Sequence, residues 1–265
     1  MNRTVELVLN SLVVEYRVIG ALMLREMYSV YGNTSLGYLW VLLQTFINIG
    51  IFWVIREYMG VPEPHGMSVA MFLISGFCVW NVISQTITKS LKVVSGSTSL
   101  LTFPQVTELD IILARFLVIC ATQAVVAIIL VAVAIAIGQG VRVYSWGMII
   151  SIMIICPFLA LGLGLTLTSF SVIWPVLGRL VPIVIRMLFF VSGIFFSANT
   201  FSQGIAELLL YNPIFQLIEL LRNGIYSGYP SDKCSWTYLI LLTLALLALG
   251  SIMERYVRSR RNRIK

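Results

Sequence analysis

The sequence predicts an all-α, polytopic membrane protein with six transmembrane helices, an N-terminal amphipathic surface helix, and short helices between the fifth and sixth spans. Of the 265 residues, 59% are hydrophobic and 11% are charged, and the mean hydropathy is +0.95. A soluble domain is about 45–50% apolar and about 25% charged. Several apolar runs reach the roughly 20 residues that a helix needs to cross about 30 Å of hydrocarbon.

The first predicted helix, residues 5–27, is amphipathic. Its apolar stripe consists of Val5, Leu9, Leu12, Tyr16, Ile19, Met23 and Met27. Arg25 lies on the polar side, as expected for a helix in the membrane surface. Gly-Asn-Thr-Ser at 32–35 then breaks this helix, and Ser35 can cap the next one. Residues 1–35 therefore form a predicted surface segment, and the pattern fits a plain anchor and a working element equally well.

Six apolar runs make up the predicted transmembrane domain, residues 36–254. They cover residues 36–55, 67–88, 111–137, 144–173, 176–196 and 236–253. The fifth run is unusual because it contains Arg179, Pro182 and Arg186. We include it because only an even number of spans puts both termini on the same side of the membrane.

The distribution of basic residues predicts which side that is. Most of the 18 Lys and Arg residues lie in the N-terminal segment, in the loop after the second span, and in the tail 255–265. Cytoplasmic flanks are enriched in these residues, so we expect both termini to be cytoplasmic. The basic tail fits an anionic lipid surface better than nucleic acid, since each charge near such a surface contributes about 1 kcal/mol.

Two short apolar pieces lie between the fifth and sixth spans. They cover residues 205–210 and 214–221, and Asn212-Pro213 separates them. Each is too short to cross a bilayer. The pattern fits two alternatives, re-entrant helices at the outer face or surface helices packed on the bundle.

The sequence lacks the residues that several kinds of chemistry require. His65 is the single histidine and lies in a predicted loop, and neither an HExxH motif nor a Gly-Lys-Ser/Thr phosphate loop occurs. None of the 11 acidic residues is central in a clean predicted span, which argues against an ion-coupled carrier. Three of the four cysteines lie in predicted spans, so we expect no disulfide framework. Energy for transport would then come from a gradient or a partner protein.

Polar side chains in the spans mark candidate pathway or interface faces. Gln44 and Asn48 are one turn apart in the first span, and Asn81 lies in the second. Such groups must face protein or water rather than lipid. Arg179 and Arg186 share one face of the fifth span, where they could meet a phosphate or an acidic sugar, snorkel, or pair at a subunit contact.

Small residues in the fourth span predict close helix packing. Gly162 with Thr166 and Gly164 with Thr168 form two small-xxx-small pairs. Such pairs let two helix backbones approach each other closely.

Five segments resemble the permeases of the ABC-2 type that export capsular polysaccharide. In order they are VIGALMLREM at 18–27, YGNTSLGYLW at 31–40, LDIILARF at 109–116, SGIFFSA at 192–198 and NPIFQLIELLRNGIYSGY at 212–229. They occur in the order seen in that family and extend over nearly the whole chain.

The resemblance implies a homodimeric permease with one ATP-binding subunit beneath each copy, in a 2:2 complex. Its cargo would be a lipid-linked polysaccharide crossing the inner membrane of a Gram-negative cell, and a periplasmic envelope-spanning protein would receive it. ATP and magnesium would be bound by the partner, so this chain would be no enzyme and would carry no cofactor.

The resemblance also implies roles for particular residues. The segment between the second and third spans would dock on the ATP-binding subunit, with candidate contacts at Val93, Ser97, Ser99, Leu100, Leu101 and Phe103. The N-terminal helix would form a gate, where Arg25 is a candidate headgroup contact. Candidate channel residues are Gln44, Asn48, Asn81, Arg179 and Arg186.

Other functions remain alternatives. A permease of the same type could carry O-antigen, teichoic acid or a hydrophobic small molecule. A channel or an assembly scaffold would need no motor. A lipid-modifying enzyme would need acidic or histidine residues clustered at one membrane face, and the sequence shows no such cluster.

Overall fold

The computed structural model describes residues 16–28, 37–58, 60, 66–96, 106–138, 143–231 and 233–262. Within these ranges the regular structure is helical and no strand occurs, so the predicted all-α class is confirmed. We number the helices in chain order. They are α1 (residues 16–28), α2 (Gly37–Tyr58), α3 (Val69–Gly96), α4 (Glu108–Ala136), α5 (Trp146–Ile173), α6 (Pro175–Val191), α7 (Gln203–Leu210), α8 (Pro213–Ile225) and α9 (Trp236–Asn262).

Four of these helices, α3, α4, α5 and α9, are long and apolar enough to cross a membrane. A fifth crossing exists if α7 and α8, which meet at an angle of 102°, are counted as one broken span. The apolar part of α2, Leu42–Arg56, is shorter, as is α6. Among the described residues, length and composition therefore give four or five candidate spans, and the predicted count of six is not confirmed.

The predicted fifth span is shortened for a local reason. Helix α6 has 17 residues and ends at Val191, whereas the predicted span continues to residue 196. Gly193 follows with a φ of 78°, a backbone conformation that glycine adopts without steric cost. At 1.5 Å per residue, α6 is about 25 Å long, less than the roughly 30 Å of the hydrocarbon.

Helix α5 is central because it packs along both α3 and α9. A Cβ atom on Gly162 would lie 3.0 Å from the Cβ of Leu246, and Thr166 donates a hydrogen bond to the Leu246 carbonyl at 3.2 Å. A Cβ on Gly164 would lie 3.0 Å from the Ser90 Oγ of α3. The predicted close contacts are confirmed. Gly162 and Thr166 pack against α9, whereas Gly164 packs against α3.

Capping residues define where the helices begin. Thr107 and Asp110 form a reciprocal capping box at the start of α4, and Ser145 accepts a hydrogen bond from the Met148 amide of α5. Asn212 accepts from the Ile214 amide, and Pro213 takes the first position of α8, where no amide donor is needed. The Asn-Pro pair thus sets the sharp bend between α7 and α8.

Helix α1 packs against one end of the bundle, which we call the α1 end. Leu22 is buried, and Val18, Ile19 and Met23 pack beside it on residues of α3, α4 and α5. Tyr16, by contrast, is 80% exposed. The face that contacts the protein is therefore centred on Leu22, which the predicted stripe did not include.

Candidate functional site

The polar residues predicted on α2 point away from the core. Gln44 and Asn48 are exposed, whereas Thr45 and Ile49, each about 100° further round the helix, are buried. Asn81 is half-buried on α3. Among the described side chains, no hydrogen bond joins these three polar residues to one another, so the structure does not assemble them into one cluster within a single chain.

The two arginines predicted on one face of α6 also lie on its outward side. Arg179 and Arg186 are exposed, whereas Val181 and Ile185 are buried against the bundle. Neither guanidinium forms an ion pair within the described residues. In hydrocarbon an arginine costs about 2.5–3.5 kcal/mol on insertion scales, so these side chains need water, an anion or another subunit.

Large apolar side chains are exposed on the same two helices. They include Trp40, Ile51, Val54, Ile183, Met187 and Phe190, each with about half or more of its surface free. The outward faces of α2 and α6 therefore combine apolar surface with amides and arginines. A mixed face of this kind suits contact with protein or a water-filled pathway better than uniform contact with lipid.

Aromatic rings join α2, α3 and α6. Phe52 of α2 lies 4.3 Å from Phe195, centroid to centroid, and Phe189 lies 5.5 Å from Trp80 of α3. Arg56 donates a hydrogen bond to the Phe195 carbonyl at 3.2 Å. These contacts hold the segment after α6 against α2 and α3.

A buried charge cluster, which we call the Arg222 anchor, lies at the opposite end of the bundle from α1. It consists of Arg222 and Glu219 of α8 and Tyr229 of the loop that follows, all of which are fully buried. The Arg222 and Glu219 side chains form an ion pair at 3.3 Å. The Tyr229 hydroxyl donates to Glu219 and accepts from Arg222.

The Arg222 guanidinium links segments that are distant in sequence. It donates to the carbonyls of Phe72 at 3.2 Å, Ile194 at 3.0 Å and Phe196 at 3.2 Å, and its Nε bonds Ser75 at 3.4 Å. Its carbon Cζ stacks 3.4 Å from the centroid of the Phe72 ring. This side chain therefore fixes the positions of α3, α8 and the segment after α6 relative to one another.

The other two members complete the hydrogen bonding of the anchor. Glu219 accepts bonds at 3.4 Å from the Ser197 hydroxyl and from the Ala198 amide. Burial raises the pKa of the Tyr229 hydroxyl above its ordinary value; the Arg222 charge opposes this shift, and the Glu219 charge adds to it. The tyrosine therefore stays protonated, and its hydroxyl remains a donor.

The hydropathy pattern does not reveal this anchor, because Arg222 lies outside the six predicted spans. Two features of the sequence nevertheless point to it. Glu219 and Arg222 are three residues apart, and they interrupt the otherwise apolar helix LIELLR. Charges inside an apolar helix of this kind are seldom left unpaired.

The Arg25-Glu26 pair of α1 is divided between two environments. Arg25 is exposed, whereas Glu26 accepts a hydrogen bond at 3.1 Å from Arg115 of α4. Arg115 also donates to the Lys89 carbonyl of α3 at 2.9 Å. Glu26 thus ties α1 to α3 and α4, whereas Arg25 forms no ion pair with any described residue.

Of the predicted partner contacts after α3, Val93 is fully buried beneath α1 and offers no surface to another protein in this conformation. The remaining candidates, Ser97, Ser99, Leu100, Leu101 and Phe103, lie outside the described residues.

Comparison with known proteins matches residues 17–226 to the family model of the ABC-2 type transporter. The chain is 26% identical over 235 residues to the polysialic acid transport protein KpsM of Escherichia coli, covering 89% of this chain and 91% of that protein. It is 25% identical over 257 residues to the capsule polysaccharide export inner-membrane protein CtrC of Neisseria meningitidis serogroup A, with 94% of each chain covered. Over 253 residues it is 23% identical to the capsule polysaccharide export inner-membrane protein BexB of Haemophilus influenzae, with 92% of each covered.

Proposed function

Because this chain belongs to the ABC-2 type transporter family, we propose that it is the membrane subunit that moves a lipid-linked capsular polysaccharide across the inner membrane. The names of its relatives refer to polysialic acid transport or capsule polysaccharide export, and the similarity extends over almost the full length of each chain. The observation that carries the proposal is the outward face of α6, where two arginines stand on an apolar helix without an ion-pair partner among the described residues.

A separate subunit supplies the energy. The chain has no Gly-Lys-Ser/Thr phosphate loop, so ATP and magnesium are bound by a partner, and this subunit makes and breaks no bonds. The loop after α3, including residues 97–103, docks on that partner. Helix α1 forms the second contact, and its Glu26-Arg115 ion pair transmits movement to α3 and α4.

Two copies of the chain form the pathway between them. The outward faces of α2 and α6 carry the large apolar residues that a subunit interface needs and the polar residues that a channel needs. With one ATP-binding subunit per copy, the complex is a 2:2 assembly with the permease termini in the cytoplasm. Helix α7 exposes Leu208, and Tyr211 is exposed just after it, which suits contact with an envelope-spanning periplasmic protein.

The arginines of α6 guide the anionic part of the cargo. Arg179 lies near the cytoplasmic start of the helix, and Arg186 lies two turns further in. Gln44 and Asn48 of α2 add neutral hydrogen-bonding groups, as does Asn81 of α3. Weak, repeated contacts suit a sliding polymer, because a tight site would hold each sugar unit in place.

Substitution of the two arginines tests this proposal. We expect Arg179→Gln and Arg186→Gln each to lower polysaccharide export about tenfold, since one charge-assisted hydrogen bond contributes about 1.5–3 kcal/mol. Export is measured as surface polysaccharide per cell, and assembly as co-purification of the ATP-binding subunit. Arg255→Gln, at an exposed position of α9, is the matched control and should export normally. Normal export by the double variant, with normal assembly, would disprove the role of these arginines.

A further inference from the structure

A cavity of 670 Å³ lies among α3, α4 and α5, and none of its described lining residues belongs to α2 or α6. Its walls are almost entirely apolar. Ile128, Ile135 and Met153 line it and are each more than half exposed, so the cavity opens on the lipid-facing surface of the bundle. It is therefore separate from the outward faces that we assign to transport.

The sequence explains why this space exists. Helix α4 contributes the small residues Ala124, Ala127 and Ala132 to the wall, where larger side chains would fill the gap. On the facing wall Pro157 interrupts α5, because proline cannot donate to the carbonyl of Met153 four residues earlier. The small side chains of α4 therefore leave the space in front of α5 unfilled.

Gln123 of α4 gives the cavity a specific polar feature. Its side chain is only 4% exposed, and its Nε2 has no hydrogen-bond partner among the described residues. Residue 123 is close to the middle of the 29-residue helix, so bulk water is distant. A buried donor at this depth is costly unless something supplies an acceptor.

The other polar groups of the wall do not supply that acceptor. The Ser75 hydroxyl donates to the Phe72 carbonyl at 2.9 Å and accepts from Arg222. The thiols of Cys78, Cys120 and Cys156 behave as small apolar groups in such an environment. Within the described wall, the Gln123 amide is therefore the donor that a ligand would satisfy.

We propose that this cavity binds a lipophilic molecule with a hydrocarbon body and one acceptor oxygen, a carbonyl or an ether, which accepts a hydrogen bond from Gln123. Its volume lies within the range of about 300–1,000 Å³ typical of sites for small organic ligands, which are also mainly apolar with a few polar groups. From Trp146 to Pro157 along α5 the cavity is about 16 Å long, roughly half of the hydrocarbon thickness. The ligand therefore enters from one leaflet.

An occupant would also touch α8, the helix that carries Glu219 and Arg222 of the anchor. Leu221 and Ile225 of α8 close one end of the cavity, and Leu221 is adjacent to Arg222 in the chain. A bound ligand therefore packs against the helix that holds the anchor, which gives the site a route to influence export.

Photolabelling of the full chain, in nanodiscs with its ATP-binding partner, tests the site. Benzophenone is the probe, since it is lipophilic and carries one carbonyl oxygen. Fluorenone and fluorene are the competitors, because they differ chiefly in the carbonyl group and can be compared at equal membrane concentrations. We expect labelling at Met71 and Met153, and we expect fluorenone to compete about 2- to 10-fold better than fluorene, the range for one neutral hydrogen bond.

Two variants distinguish the contribution of the cavity volume from that of the Gln123 amide. Ala127→Phe fills the space and should lower labelling at least fivefold, whereas Ala136→Phe, at an exposed position outside the wall, should not. Gln123→Leu should keep the labelling and abolish the preference for fluorenone. Equal competition by the two compounds in the unaltered protein would overturn the proposal without any variant, as would labelling spread evenly over the lipid-facing helices.

Discussion

Arg222 is a residue whose whole hydrogen-bonding capacity is used inside the protein. Its donors reach three backbone carbonyls and the side chains of Ser75, Glu219 and Tyr229. A guanidinium can be buried only when its charge is paired and its donors are satisfied, and here both conditions are met. The anchor therefore fixes geometry, and removing Arg222 leaves the Glu219 carboxylate buried without its ion-pair partner.

We expect Arg222→Met to lower the free energy of unfolding by about 3–5 kcal/mol, because an unpaired Glu219 would remain in the core. Thermal unfolding of the purified chain in detergent measures the change. Arg179→Met, which removes an exposed arginine, is the control and should have little effect. Similar melting temperatures for the two variants would contradict the anchor, and a double Glu219→Leu, Arg222→Met variant should be more stable than Arg222→Met alone.

Single residues were predictable from the sequence where local spacing decided their position. Arg179 and Arg186 are seven residues apart, so their common face followed from the helical period. The role of Arg222 did not follow, because two of its carbonyl partners belong to Phe72 and Ile194, 150 and 28 residues away. Only the folded chain brings these atoms together.

At the scale of the helix, the contact of α5 with α9 depends on glycine residues, because a position without a side chain lets the two helices approach closely. A Cβ atom on Gly250 would lie 2.8 Å from the Cβ of Leu165, closer than two such atoms normally approach. We expect Gly250→Ala to destabilise the chain by about 1–3 kcal/mol through overpacking. Gly147→Ala, whose nearest neighbour would be 3.9 Å away, is the control for the helix propensity of alanine. Chemical denaturation compares the two, and equal stability would contradict this close packing.

The ion pair between Glu26 and Arg115 attaches helix α1 to α4. Glu26→Gln replaces a charge-assisted bond to Arg115 by a neutral one, which should cost about 1 kcal/mol for a pair that is still partly solvated. Hydrogen exchange in residues 16–28 should then become about fivefold faster, while the exposed Arg25→Gln variant should match the original chain. If exchange is unchanged in both variants, the ion pair does not hold α1.

Most elements, but not their lengths, could be predicted from hydrophobicity. The long apolar runs predicted α3, α4, α5 and α9, and the Asn-Pro pair predicted the boundary between the two short helices α7 and α8. Helix α6 ended early because Gly193 takes a left-handed conformation, which an apolar run does not reveal. Helix α9 continues to Asn262 through the basic tail, since no glycine or proline interrupts residues 251–262.

On the scale of the whole molecule, a single chain leaves two faces incomplete. The outward sides of α2 and α6 expose large apolar residues together with amides and arginines, a mixture that suits contact with protein or water. The sequence predicted the polar members of these faces, and the structure shows that they point outward. A second copy completes the pathway in our account, and a nucleotide-binding partner drives it.

Transport into inverted membrane vesicles tests the central claim most directly. Vesicles containing this chain receive lipid-linked polysaccharide on their outer surface, and protected polysaccharide is measured after enzymatic digestion from outside. We predict transport only when the ATP-binding partner and ATP are both present, and none with the chain alone. Transport by the chain alone, at a rate comparable to that of the complex, would contradict the account.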